Sequence, residues 1–197
     1  MVAVLEAPTW VAARVERVPD GDPSRGLAAV GLAKLAGLEL DEWQQHVLVN
    51  SLRTRGDGKW SALEVGLVVP RQNGKGAILE ARELAGLFLF GEMMITHSSH
   101  RVDTSMEAFR RLLGLIEDTP ELAPRLKKVV RTNGKEGLEL TTGERIRFTS
   151  RSTGGGRGLS DDLVIMDEAM FLADAFHGAL FPKLSARSVD GNPQAWY

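Results

Sequence analysis

Residues 68–76, with the sequence VVPRQNGKG, could bind the phosphates of a nucleotide. They follow an apolar run at 62–69 that predicts a buried strand, and a predicted helix begins near Lys75. In such a loop the backbone N–H groups and the positive helix end cradle phosphates, and Lys75 would reach the β- and γ-oxygens. The match to GxxxxGK(S/T) is incomplete, because Val69 stands at the first glycine and Gly76 at the hydroxyl. The alternative is a strand-to-helix turn with an exposed lysine.

A second candidate site lies at 162–169, where the apolar run of DLVIMDEA predicts a buried strand that ends in adjacent acids. Asp167 could hold Mg²⁺ directly or through water, and Glu168 could position or deprotonate a water for attack on a γ-phosphate. The alternative is that the two acids cap a strand end or begin the next helix. A phosphate loop followed along the chain by an acidic strand end favours an NTPase.

These residues must be positioned by alternating strands and helices. Strands are predicted at 62–69, 93–96, 128–131, 138–141, 145–149 and 163–166, and helices at about 42–52, 75–90 and 104–117. The pattern predicts a three-layer α/β domain with a mostly parallel central sheet. Proline-rich and turn-rich residues 1–38 are expected to form an N-terminal arm or linker, and residues 39–197 the main domain.

Composition excludes several other classes of protein. The 197 residues contain no cysteine, which excludes disulfide scaffolds, thiolate zinc sites and cysteine nucleophiles. The longest apolar run, residues 84–91, is far too short to span a bilayer, so no membrane partner is expected. The formal net charge is −2, but residues 125–157 carry nine basic and three acidic side chains, a local charge of +6. That segment could face a polyanion, or its strands could simply alternate outward charges.

The combined motifs resemble the ATPase domain of the large terminase subunit of tailed double-stranded DNA bacteriophages. The resemblance covers about residues 39–197 and rests on DEWQ at 41–44, PRQNGK at 70–75 and RGLSDDLVIMDEA at 157–169. It implies a P-loop NTPase fold of the additional-strand, conserved-glutamate type, with ATP and Mg²⁺ as ligands. It also implies an ATP-hydrolysing motor that translocates double-stranded DNA into a procapsid.

The resemblance implies a role for individual residues. Gln44 would read the adenine edge, although its spacing from Asp41 also fits a helix capping box. Asp167 would organise Mg²⁺, and Glu168 would be the catalytic carboxylate. Arg157 would be an arginine finger that acts in a neighbouring subunit, or else a surface arginine on a glycine-rich loop. The implied nucleotide-binding loop consists of Pro70, Arg71, Gln72, Asn73, Gly74, Lys75 and Gly76, with Arg71 and Lys75 on the phosphates.

The resemblance also implies partners and a location. Expected partners are the phosphate backbone of double-stranded DNA, a portal protein and the small terminase subunit. A homo-oligomeric ring is expected on assembly, with a monomer as the state of the isolated domain. The location is the cytoplasm of a phage-infected bacterium.

Two features depart from the family pattern. Gly76 lacks the usual hydroxyl, and residues 192–197 resemble the strand before the family's coupling motif, so the nuclease domain that normally follows is expected to be absent. Two alternatives therefore stay open. One is a nucleotide-binding, nearly inactive docking fragment, and the other is a different ring or helicase-like P-loop NTPase.

Overall fold

The computed structural model describes residues 13–70, 72–132, 136–151, 161–171 and 191–197. Its α-helices within these ranges are α1 (Ser24–Leu35), α2 (Glu42–Ser51), α3 (Lys75–Ala85) and α4 (Val102–Glu117). The strands are β1 (Glu64–Val65), β2 (Met94–Ser99), β3 (Leu126–Val130), β4 (Gly137–Leu140), β5 (Arg145–Ser150), β6 (Leu163–Met166) and β7 (Gln194–Trp196). A π-helical turn at Gly86–Phe90 extends α3, and short 3₁₀ turns occupy Ala123–Arg125 and Ala169–Phe171.

The strands form one sheet in the order β1-β7-β6-β2-β5-β4-β3. Along this order the first five strands, β1, β7, β6, β2 and β5, pair parallel with their neighbours. The pairs β5–β4 and β4–β3 at the other edge are antiparallel. The predicted α/β class with a mostly parallel sheet is therefore confirmed. β7 is inserted between β1, which precedes the candidate phosphate loop, and β6, which ends in the acids. That insertion is the arrangement implied by the term additional strand.

The core lies where the helices cover this sheet. In α4 the buried apolar residues recur at helical spacing, at Phe109, Leu112, Leu113 and Ile116, and this stripe packs toward β2 and β5. Phe109 meets Phe148 of β5 edge to face, with ring centroids 5.7 Å apart. No helix in the described part of the chain is long and apolar enough to cross a membrane.

Residues 24–35 correct the prediction that all of residues 1–38 form an arm or linker. They form α1, which packs against α2 and α3 and buries Ala29 and Ala33 completely. A Cβ atom at Gly26 would lie 2.4 Å from the Val49 Cα, so the close approach of α1 to α2 requires glycine there. This part of the predicted linker belongs to the packed domain.

Most predicted elements occur with shifted ends. The strand predicted at 62–69 is regular only at Glu64–Val65, although its backbone hydrogen bonds with β7 and Tyr197 run from Leu63 to Leu67. Beyond them Val68 is fully exposed, so the end of the predicted strand is not buried. α4 begins at Val102, two residues before the helix predicted from Thr104. The strand predicted at 163–166 is confirmed as β6.

Candidate functional site

The loop between β1 and α3 has a backbone suited to anion binding. Gln72 and Gly74 both have positive φ, +62° and +78°, and Gly74 is the residue from which α3 begins. A left-handed residue at this position turns successive N–H groups toward one side, and the helix dipole adds positive charge there. Pro70, Gln72, Asn73 and Gly74 are exposed, so the loop is accessible.

Lys75 and Asp167 form an ion pair at the centre of the site. The Lys75 ammonium donates a hydrogen bond to Oδ1 of Asp167, across 92 positions of sequence. The side chain of Lys75 is 36% exposed and that of Asp167 is 14% exposed, so the pair lies at the floor of an open site. The two motifs found in the sequence therefore meet in the folded chain.

Glu168 occupies a strained turn directly after β6. Its φ is +56°, in a region that residues other than glycine rarely adopt, and its backbone N–H donates to Oδ1 of Asp167 at 2.8 Å. Among the described residues, its carboxylate oxygen Oε2 is buried and has no hydrogen-bond partner. A buried polar atom without a partner is costly, and such atoms commonly mark catalytic or binding positions.

Arg151 contacts the backbone of both Asp167 and Glu168. The sequence motifs do not identify it as a site residue. Its Nη2 donates to the carbonyl oxygens of Asp167 at 2.6 Å and Glu168 at 2.9 Å. Its Nη1 donates to the Ser98 carbonyl oxygen at 3.1 Å. Burial lowers the pKa of the Arg151 guanidinium, while the nearby Asp167 and Glu168 carboxylates act in the opposite direction. No sequence motif points to these contacts, because they join residues on three different strands.

Gln44 links α2 to the phosphate loop. Its amide oxygen accepts the Asp41 backbone N–H at 2.7 Å, and its amide nitrogen donates to the Gly74 carbonyl oxygen at 2.9 Å. The capping box anticipated at Asp41 is present. One donor and one acceptor of the amide remain, because a glutamine amide has two of each.

A cavity of about 840 Å³ adjoins this loop. Residues 13–19 form one wall, and Trp43 and Val47 of α2 form another. Pro70 and Asn73 of the phosphate loop also line it. The cavity is the right size for a small molecule, and its walls are apolar and aromatic where they meet the loop.

A second cavity, of about 370 Å³, lies beside the first turn of α3 and extends to Asp167. Its lining includes Glu80, Glu83, His97 and Arg111. Glu83 and His97 are almost completely buried, with 2.5 Å between Oε1 and Nδ1. Burial raises the pKa of Glu80 to about 7, although Arg111 at 3.4 Å opposes the shift.

Two predicted site residues, Arg71 and Arg157, lie outside the described residues. The remaining predicted residues divide between the two ends of the site. Gln44, Pro70, Gln72, Asn73, Gly74, Lys75 and Gly76 are on the loop side, and Asp167 and Glu168 are at the end of β6.

The residues present fit a magnesium ion held together with phosphates. Carboxylate oxygens are ligands that Mg²⁺ prefers, and the ion is usually bound through one or two carboxylates plus substrate phosphates. Asp167 can supply such an oxygen, and the partnerless Oε2 of Glu168 lies on the next residue. Within the described ranges there is no group of three or more histidine, aspartate or glutamate residues that could hold a metal by itself.

Comparisons with solved structures show which proteins share this fold. The chain superposes on the HK97 bacteriophage large terminase with a TM-score of 0.67 and 19% identity, over 80% of this chain and 32% of that one. It superposes on the Thermus phage P74-26 large terminase ATPase domain with a TM-score of 0.60 and 18% identity, over 92% of this chain and 70% of that one. A further match is the large terminase of a thermophilic bacteriophage, with a TM-score of 0.55 and 14% identity, over 81% of this chain and 37% of that one.

These similarities establish the fold. The chain spans about a third of the HK97 terminase that it matches and more than two thirds of the Thermus phage ATPase domain. No protein-family model and no curated protein matches the sequence. The chain has the fold of phage large terminase ATPase domains, which confirms the predicted P-loop NTPase fold.

Proposed function

We propose that the chain is the ATP-hydrolysing motor domain of a viral DNA-packaging terminase, which translocates double-stranded DNA into a procapsid. The observation that carries this proposal is the ion pair of Lys75 with Asp167, which joins the phosphate-type loop to the acidic strand end. This pair occurs in a fold shared with terminase ATPase domains. The fold alone would not assign an activity, so the site residues carry the chemical argument.

ATP would lie across the start of α3 with its phosphates on residues 70–76. Lys75 would exchange its contact with Asp167 for the β- and γ-phosphate oxygens, since one ammonium can serve either anion. Arg71 would add a second cation to the phosphates. The base would enter the 840 Å³ cavity beside Trp43. Gln44 is buried behind the loop and does not line that cavity, so it would read the adenine edge only after its contacts with Asp41 and Gly74 change.

Mg²⁺, held by Asp167 and the phosphates, would neutralise charge on the β- and γ-oxygens. Glu168 would accept a hydrogen bond from the attacking water and take up its proton as the water oxygen bonds to the γ-phosphorus. The bond from that phosphorus to the β,γ-bridging oxygen breaks, and the electron pair leaves with ADP. Oε2 of Glu168 suits this role because no group in the described part of the chain uses its acceptor capacity. Arg157 from a neighbouring subunit would stabilise the transferring phosphoryl group.

Substitution of Glu168 tests the assignment most selectively. Glu168→Gln should bind ATP with near wild-type affinity and lose phosphate release, because the amide retains shape but accepts no proton. Glu117→Gln, an exposed residue at the end of α4, is the matched control. If Glu168→Gln hydrolyses ATP at the wild-type rate, Glu168 is not the catalytic carboxylate. If the wild-type chain binds ATP without turnover, the docking-fragment alternative replaces the motor. The absence of a side-chain hydroxyl at Gly76 would be consistent with that alternative.

DNA binding is a further part of this proposal, and it rests on the basic segment 125–157. Several of its cations contact other groups inside the protein: Lys127 pairs with Glu139 at 2.6 Å, and Arg147 lies 3.3 Å from Asp161. Lys128 and Arg131 are exposed at the β3 edge of the described sheet, and Arg145 is exposed on β5, two strands further in. The competing explanation is that lysines on an edge strand prevent edge-to-edge association.

Salt dependence separates these two explanations. Binding to duplex DNA should weaken steeply with salt, and Lys128→Ala should reduce the slope by about one. Lys34→Ala, on α1, is the matched control. Binding that is absent or flat with salt would leave the lysines with only an edge-protecting role. The same proposal includes a portal protein and the small terminase subunit as partners. It also includes assembly into a homo-oligomeric ring and a location in the cytoplasm of an infected bacterium.

A further inference from the structure

Arg151 spans the ends of three neighbouring parallel strands. It directly follows β5, and its guanidinium reaches Ser98 of β2 and both residues after β6. In the sheet these strands lie in the order β6-β2-β5, so the side chain crosses the whole width of β2. This crossing places one cation against the backbone of the acidic turn.

The Arg151 contacts fix the carbonyl groups on both sides of the strained peptide. Nη2 donates to the carbonyl oxygens of Asp167 and Glu168, at 2.6 and 2.9 Å. Nη1 donates to the Ser98 carbonyl oxygen, which also accepts the Asp167 backbone N–H at 2.8 Å. The peptide that joins the two acids is therefore held from β5 through its carbonyl oxygen, and the peptide before it is held from β2.

The turn needs such support because of its conformation. Glu168 has a φ of +56°, and a non-glycine residue persists in this region only where its surroundings impose the conformation. Two further contacts within the turn are local: the Glu168 N–H donates to Asp167, and the Phe171 N–H donates to the Glu168 carbonyl oxygen at 3.1 Å. Two others reach the turn at Asp167 alone, from the Ser98 carbonyl oxygen of β2 and from the Lys75 ammonium. Arg151 supplies the connection to the end of β5, and it reaches the Glu168 carbonyl oxygen as well as that of Asp167.

We infer that Arg151 is a positioning residue for hydrolysis, which holds the Asp167–Glu168 turn so that the Glu168 carboxylate faces the reacting water. Arginine suits this role because its planar fork presents five donors in fixed directions, whereas lysine presents one compact ammonium. Within the described residues, the hydrogen bonds of Arg151 go to the backbone carbonyls of Asp167, Glu168 and Ser98 and to the Ser98 hydroxyl, so its effect passes through Glu168. This inference rests on the proposed ATPase function.

Arg151→Lys tests the inference, since it keeps the charge and removes the fork. We expect kcat for ATP to fall on the order of 100-fold, as a displaced catalytic group does. The Kd for a fluorescent ATP analogue should stay within about three-fold and the Tm should be nearly unchanged, because Lys75 and the phosphate loop are untouched. Arg110→Lys, on the exposed face of α4, should leave all three values at wild type.

Amide hydrogen exchange gives a readout that does not depend on turnover. In Arg151→Lys the peptide covering residues 161–171 should exchange faster, while α4 keeps its protection. Wild-type kcat, or unchanged exchange in this peptide, would overturn the inference. A joint loss of kcat, affinity and Tm would also overturn it, because Arg151 would then support the fold as a whole. Absence of turnover in the wild-type chain would refute the proposed function, and the exchange measurement would still decide the role of Arg151.

Discussion

Lys75 and Asp167, 92 positions apart in the sequence, form an ion pair where α3 begins and β6 ends. An ammonium and a carboxylate in contact are each other's counter-ion, and a magnesium-bound phosphate can replace both halves of that contact. The cation would then meet the phosphate oxygens, and the carboxylate would meet the metal. The ion pair therefore holds both groups where the proposed nucleotide chemistry would require them.

Removal of the Lys75 ammonium should weaken nucleotide binding. Hydrogen bonds to charged groups are worth about 1.5 to 3 kcal/mol, so Lys75→Ala should raise the Kd for ATP by about 10- to 100-fold. Titration with a fluorescent ATP analogue measures the change, and Lys34→Ala at the exposed end of α1 is the control. Wild-type affinity in Lys75→Ala would mean that residues 70–76 do not bind the phosphates.

The packing of α1 against α2 should be sensitive to a single methyl group. In Gly26→Ala the new Cβ would meet the Val49 backbone at 2.4 Å, and such overpacking should cost about 1 to 3 kcal/mol of unfolding free energy. Gly31→Ala, in the same helix, has nothing within 4 Å of the new Cβ and should stabilise by about 0.5 to 1 kcal/mol. Urea denaturation of both variants measures this. Equal effects of the two substitutions would contradict the packing described for α1.

The stability of the protein should depend on pH through Glu80. Its pKa is raised from 4.5 to about 7 by burial, so the native state binds a proton that the unfolded state has released between these values. Glu80 therefore costs no stability below about pH 4.5, and it costs progressively more as the pH rises to 7. We expect the unfolding free energy of Glu80→Gln to exceed that of wild type by an amount that grows to about 1 to 3 kcal/mol between pH 5 and pH 8.

The Glu80 prediction is measured as the difference in unfolding free energy between variant and wild type at each pH. Glu117→Gln, exposed at the end of α4, is the control for loss of a carboxylate. A difference that does not change with pH, or that favours the wild type at pH 8, would contradict a raised pKa at Glu80.

If Arg157 acts as the proposed arginine finger, subunits should complete one another's sites. Turnover per molecule should rise with protein concentration, and Arg157→Ala should remove most of that turnover. A mixture of Arg157→Ala and Glu168→Gln should recover activity, because each variant retains the group that the other lacks. Constant turnover across concentration, with no recovery in the mixture, would mean that Arg157 does not act between subunits.

The sequence was sufficient to predict the class of the sheet and six of the seven described strands, because buried strands and strand–loop–helix junctions leave strong local patterns. β6 and the Asp41 capping box are where those patterns indicate. α1 was missed because it packs through small residues such as Ala29 and Ala33, which produce no large apolar stripe. Prolines and glycines before it also indicated a turn.

Arg151 was beyond the reach of sequence patterns for a different reason. It contacts carbonyl groups 16, 17 and 53 positions away, and a backbone carbonyl carries no residue signature. The second hydrogen bond of Gln44 joins it to Gly74, 30 positions away in the sequence, and no sequence pattern predicts it either. Contacts of this kind depend on the tertiary fold.

Magnesium-dependent phosphate release from ATP by the wild-type chain tests the central claim most directly. It should be measured across a wide range of protein concentration, beside Lys75→Ala and Glu168→Gln. We predict release that requires Mg²⁺ and is lost in both variants, with ATP affinity lost only in Lys75→Ala. The absence of release at every concentration, or equal release by the wild type and Glu168→Gln, would contradict an ATPase site built from Lys75, Asp167 and Glu168.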